Sequence, residues 1–124
     1  MVEIELANRS GEAFDLDAAS DLVRAVLRDE GIDEGELGLA LVPPDEIRRL
    51  KSEHLGIDEE TDALAFPIDG LDELPAGMPR QLGDVVLCPQ VVRDAWRAPL
   101  VHAVLHLVGY DHGSEMEARE RAHA

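Results

Sequence analysis

Gly83–Pro89 reads GDVVLCP. Four apolar residues follow one another from Val85 to Cys88, so neither face of the segment is polar. A strand of that kind is covered on both sides, as strands are in sheets sandwiched between helices. Pro89 stops it. This segment sets the expectation for the chain: a small sheet with helices packed on it.

Working upstream, Thr61–Pro67 (TDALAFP) reads as a strand halted by Pro67. Ile68–Gln81, rich in Gly, Pro and acids, reads as a surface loop joining the two. Leu37, Leu39 and Leu41 alternate with small or polar residues, as do Val2, Ile4 and Leu6, and both runs have the period of a strand. A helix with an apolar stripe of Leu22, Val23, Val26 and Leu27 lies between them. Asp15 or Asp17 caps its start, it runs to about Glu30, and Gly31 stops it. Pro43-Pro44 ends the second strand and opens a further helix. Asp45 and Glu46 favour its positive end, and Ile47 and Leu50 mark its inner side.

Downstream, Gln90–Arg97 reads as a short helix broken by Pro99, where a second, apolar helix starts. Glu115–Ala124 is charged and helix-prone, and is expected to fray. The order β-α-β-α-β-β-α-α fits an α/β (α+β) sandwich. It has a small mixed four-stranded sheet and a histidine-bearing helix near the C-terminus. With 124 residues and no internal repeat, residues 1–124 read as one domain.

The totals narrow the function classes. Acids outnumber bases 27 to 11, giving a formal net charge of −16. This disfavours broad binding to a phosphate backbone, which needs many Lys and Arg contacts. The one cysteine, Cys88, cannot form an internal disulfide and reads as a small core residue. The acidic N-terminus lacks the basic and apolar regions of a signal peptide, and no apolar run is long enough to span a membrane. The expectation is a cytoplasmic protein.

The chemistry concentrates in Val101–Gly113, VHAVLHLVGYDHG. His102 and His106 are four residues apart, which places both imidazoles on one helical face. Gly109 can end that helix in a left-handed turn, letting the chain swing Asp111 and His112 back toward the first two rings. Three neutral imidazoles facing one point form a divalent-metal site with an open fourth position. Zinc there would lower the pKa of its bound water to about 7, which makes hydrolysis the natural chemistry. Imidazole also suits nickel, copper and iron. The spacing H-x3-H-x5-H occurs in zinc peptidases. Those need Glu directly after the first His as general base, and Ala103 at that position argues against a peptidase.

The remaining polar residues have plainer readings beside the functional ones. Asp111 is either a carboxylate that orients a ligating ring or a turn residue. Tyr110 is read as packing. Arg93 and Arg97 are placed on one helix face, and Arg48, Arg49 and Lys51 on another. Either group could hold phosphates, but a solvated face is the plainer reading. His54 and His123 show no partner pattern.

The histidine stretch, His102-Ala103-Val104-Leu105-His106-Leu107-Val108-Gly109-Tyr110-Asp111-His112, resembles the signature H-G-x-L-H-L-x-G-Y-D-H of the YbeY family of bacterial endoribonucleases and ribosomal RNA maturation factors. Thr61–Pro67 is similar to that family's T-D-V-L-S-F-P, and Leu82–Pro89 (LGDVVLCP) to its L-G-D-I-V-I-C-P. The resemblance implies a zinc-dependent hydrolase of single-stranded RNA acting in small-subunit rRNA processing. His102, His106 and His112 would be the metal ligands, and rRNA and the small ribosomal subunit or its assembly factors the partners. It also implies that no Glu is needed at position 103. The chain departs from the family near the end of the second helix. Lys51 stands at the family's Asn, Leu55 at its Arg and His54 at the aromatic before that Arg. The segment from Pro89 to His102 and the C-terminal helix are both short. Leu55 and the acidic charge leave a second expectation open, a ribosome-associated factor with a structural metal.

Overall fold

A computed structural model describes residues 2–59, 61–69, 73–110 and 113–123. Four strands form one mixed sheet in the order β1-β2-β4-β3. These are β1 (Val2–Asn8), β2 (Gly35–Leu41), β3 (Ala63–Pro67) and β4 (Gln81–Leu87). β1, β2 and β4 run parallel, and β3 lies antiparallel on the outside of β4. The helices among the described residues are α1 (Leu16–Asp29), α2 (Pro44–Leu55), α3 (Pro89–Val92), α4 (Arg97–Leu107) and α5 (Ser114–Ala122).

The alternation in β2 and β4 distributes the helices. Leu37, Leu39, Leu41, Val85 and Leu87 point to one face, where they pack with Val23, Val26 and Leu27 of α1 and with the apolar residues of α4. Ala40, Val86 and Cys88 point to the other, against Ile47 and Leu50 of α2. The Val85–Cys88 run is therefore buried on both sides, as its composition demands. α2 covers only part of its face. On the bare part, around Gly38, sit the carboxylate residues Glu3, Glu5, Glu36 and Asp84. β1 is the edge strand there, and its inward alternation fades from buried Val2 to exposed Leu6.

β4 carries one irregularity. Glu36 pairs with Gln81 and Leu37 with Gly83, so Leu82 is an extra residue in the ladder. Gly83 takes φ +135°. A Cβ there would collide with the Phe66 carbonyl and sit 2.9 Å from Leu107 Cδ1 of α4. The glycine thus lets the histidine helix and β3 both close on β4.

Asp15 caps α1, its side chain accepting from the Ala18 amide at 3.0 Å. α2 opens on Pro44 and ends at Gly56, φ +71°, with acids in the first turn as the sequence indicates. Several boundaries differ from expectation. β3 starts at Ala63 rather than Thr61. β4 starts at Gln81 rather than Gly83. The helix expected over Gln90–Arg97 is only the single turn Pro89–Val92, because Arg93 adopts φ +49° and ends it. α4 starts at Arg97, so Pro99 does not break a helix but sits in the first turn of one, where its missing N–H would have had no partner. Arg93 and Arg97 consequently share no helix face, and the Arg97 guanidinium lies over the Trp96 ring, 4.3 Å from its centroid.

α5 is docked rather than frayed. Met116 is buried against the core, and Arg119 pairs with Glu30 at the end of α1, Nη2 to Oε2 2.5 Å. No helix among the described residues is long and apolar enough to cross a membrane.

Candidate metal centre and RNA cleft

α4 is apolar almost all round. Leu100, Val101, Ala103, Val104, Leu105 and Leu107 are buried between α1, the sheet and α5, which is what a helix without a polar face requires. His102 and His106 are the half-buried exceptions, turned to one cleft of about 610 Å³. Its other walls are β3 and its approach (Thr61–Ala65 and Pro67), the C-terminal half of α2 through Lys51 and Leu55, and the Gly109-Tyr110 turn. The rigidity of the pair comes from the helix that carries it. Each buried Leu or Val of α4 contributes about 1.5–3 kcal/mol to holding that helix down.

The two rings meet edge to face, with centroids 4.6 Å apart, and their Nε2 atoms are 3.1 Å apart. The opposite nitrogens face acceptors. His106 Nδ1 lies 2.8 Å from the Tyr110 carbonyl oxygen, which only accepts, so Nδ1 of that neutral ring carries the proton. His102 Nδ1 lies 3.3 Å from Glu120 Oε1 of α5, and a carboxylate likewise only accepts. Both Nε2 atoms are then left with lone pairs directed at one region. Two lone pairs at 3.1 Å repel unless a proton or a metal ion sits between them, and 3.1 Å is within hydrogen-bond distance. Zinc–nitrogen bonds of about 2.0–2.1 Å at the tetrahedral angle put ligand nitrogens roughly 3.3–3.4 Å apart. The pair therefore fits two ligands of one transition metal. Among the described residues no third His, Cys, Asp or Glu completes a group with them. His112 and Asp111, the third ligand and the orienting carboxylate expected from sequence, lie outside the described residues.

Behind the pair is a polar cluster. The Glu30 side chain is only 6 % exposed, takes hydrogen bonds from Arg119 and interacts with the Tyr110 hydroxyl. Burial works to raise the Glu30 pKa. Those interactions, with the charges of Arg119 and His123, outweigh it and hold the carboxyl below its ordinary value. The interaction with Glu30, then burial, pushes the Tyr110 phenol up. Tyr110 does pack on the core, but its hydroxyl and its carbonyl face two different polar partners.

Of the cationic groups considered from sequence, Lys51 lines the cleft. It is the sole Lys or Arg among the described lining residues. Its Nζ is 2.8 Å from Glu59 Oε1, with the Lys51 side chain 14 % exposed. Arg48 pairs with Asp58 at 2.7 Å and Arg49 with Glu53 at 3.8 Å, all exposed. Leu55, one turn beyond Lys51, is exposed at the cleft rim. Cys88 is fully buried. His54 packs on Phe66 with centroids 4.7 Å apart, and His123 Nδ1 lies 3.5 Å from Asp29. Sequence reading missed Glu120 and the Tyr110 carbonyl. The first sits in an unremarkable charged helix, and the second is a backbone atom without a sequence signal.

The profile of the family described as Endoribonuclease YbeY matches residues 5–123. The chain belongs to this family. An Endoribonuclease YbeY of Salinispora tropica is 37 % identical over 96 % of this chain and 88 % of its own length. One from Rubrobacter xylanophilus is 35 % identical over 98 % and 87 %. The fold is shared with TM1509 of Thermotoga maritima, solved in solution, with TM-score 0.62 and 24 % identity over 97 % of this chain and 85 % of that one.

Proposed function

We propose that this YbeY-family chain is an endoribonuclease that hydrolyses single-stranded RNA with a divalent metal, zinc for preference. It acts on ribosomal RNA during maturation of the small subunit, in the cytoplasm. The observation that carries the metal dependence is the pair of Nε2 atoms converging in an open cleft while both Nδ1 atoms face acceptors.

His102 and His106, with His112 from the same motif, would hold the cation, which when bound polarises a phosphoryl oxygen and acidifies water. Lys51 is placed to take a phosphodiester oxygen, releasing Glu59 as it does so. A lysine serves phosphate as a compact point charge with three donors. Leu55 offers an apolar contact at the rim in place of a second charge. Ala103 leaves the floor beside the rings small, so a sugar-phosphate can approach them. β3 forms one wall of the cleft, and its position is fixed by the antiparallel ladder to β4.

The test is cleavage of an unstructured RNA by the chain as purified, after chelation, after zinc is restored, and as His106→Ala. Cutting that follows the metal and vanishes in the variant is expected. Equal cutting in all four samples would overturn metal dependence, and none in any would remove the nuclease assignment.

A further inference from the structure

Two acceptors set the direction of the ligand rings, and both trace back to one buried carboxylate. Arg119 donates to Glu30 Oε2 through Nε at 2.9 Å and Nη2 at 2.5 Å, which clamps α5 to the end of α1. The next residue, Glu120, is thereby presented to His102 Nδ1 at 3.3 Å. The Tyr110 hydroxyl interacts with the same Glu30, and the Tyr110 carbonyl faces His106 Nδ1 at 2.8 Å. Glu30 lies outside the cleft and cannot touch a substrate there.

We propose that Glu120 is a positioning residue for His102, and that Glu30 positions both rings by holding Arg119 and Tyr110. The inference rests on the reading of His102 and His106 as metal ligands. A carboxylate at Nδ1 keeps the proton there and leaves Nε2 as the donor atom, as carboxylate–histidine pairs do beside bound metals. Loss of such a partner typically weakens metal binding about 10–100-fold. The chemistry of Glu120 is therefore specific: an acceptor is required, a charge is preferred, and an alkyl group fails. Glu30 acts at one remove, so its loss affects His102 and His106 together, whereas loss of Glu120 affects His102 alone.

The experiment uses the whole chain, with zinc as the probe. Zinc affinity is measured by competition with a chromogenic chelator for the unaltered chain, Glu120→Ala, Glu120→Gln, Tyr110→Phe and Glu30→Gln. In parallel, two-bond proton–nitrogen NMR spectra of the metal-free chains read which ring nitrogen carries the proton. Glu120→Ala is expected to weaken zinc binding about 10–100-fold and to release the His102 tautomer, with the melting temperature of the metal-free chain unchanged. Glu120→Gln, which keeps an acceptor, restores part of the affinity. Glu30→Gln and Tyr110→Phe disturb the His106 tautomer, and Glu30→Gln also that of His102. Unaltered affinity and tautomer in Glu120→Ala would overturn the role of Glu120, and unaltered rings in Glu30→Gln that of Glu30. If the unaltered chain bound no zinc, the metal reading itself would fall, while the tautomers of the metal-free chains would still judge the positioning roles.

Discussion

Arg119 and Glu120 are adjacent in α5 and serve opposite partners. Arg119 grips Glu30 of α1, while Glu120 faces the His102 ring of α4. The C-terminal helix thus joins the first helix of the chain to the candidate metal centre and borders its cleft.

Removing any of His102, His106 or His112 by substitution with Ala should abolish stoichiometric zinc. Elemental analysis of the purified chains checks this, since two imidazoles hold the ion far less well than three. The half-buried His102 and His106 leave little cavity, so the variants should remain folded by circular dichroism. Zinc retained at full stoichiometry in all three would remove the ligand set.

Lys51→Ala should raise KM for RNA about tenfold while changing kcat little, because a lost phosphate contact is worth roughly 1–2 kcal/mol. The slope of log affinity against log salt should fall by about one contact. Leu55→Arg places a second cation one turn away at the rim and should lower KM. Steady-state cleavage at two salt concentrations separates these effects from a change in chemistry.

Gly83→Ala should be severely destabilising, by about 3 kcal/mol or more. It combines a backbone angle disfavoured for L residues with a collision in a filled core. Urea unfolding provides the measurement. Gly31→Ala is the control. It also has positive φ, but nothing lies within 4 Å of its added Cβ, so it should cost only about 1 kcal/mol.

Acid should loosen the brace at Glu30. Its folded pKa lies below the unfolded value of 4.5, so its contribution to stability is complete above that value and is lost as pH falls through the folded one. Tyr110 works at the other end. Its folded pKa lies above 10.0, so its contribution is present below 10.0 and lost as pH rises through the folded value. Glu30→Gln should therefore flatten the decline in urea stability on the acid side. An unchanged acid limb would count against the brace.

The interior of the sheet was legible because hydrophobic pattern and burial coincide there. The Val85–Cys88 run and the Leu37–Leu41 alternation each specify one local structure, while Asp15 and Asp17 are equivalent cap candidates in sequence and only the bond from the Ala18 amide selects Asp15. The stretch from Gln90 to Pro99 was not. Proline inside an apolar-looking pattern suggests a break, but in the first turn of a helix it removes nothing. The positive φ of Arg93 likewise has no residue-type signal. The histidine spacing identified the pair. What lies against its outer nitrogens depends on α5 docking across α1, a long-range contact that local composition does not encode.

Of the carboxylates around Gly38, Glu3 and Glu5 lie on β1, the edge of the sheet opposite the β3 wall of the cleft, whereas Glu36 lies on β2 and Asp84 on β4, opposite Phe66 of β3. Strands about 4.8 Å apart put β1 roughly 14 Å from β3, beyond the screening length of about 8 Å at physiological ionic strength. Glu3 and Glu5 therefore do little to oppose a polyanion at Lys51; the acids that do are local, Glu59 paired with Lys51 and Asp62 in the cleft wall. The molecule's total charge is a poor guide to where a nucleic acid can settle.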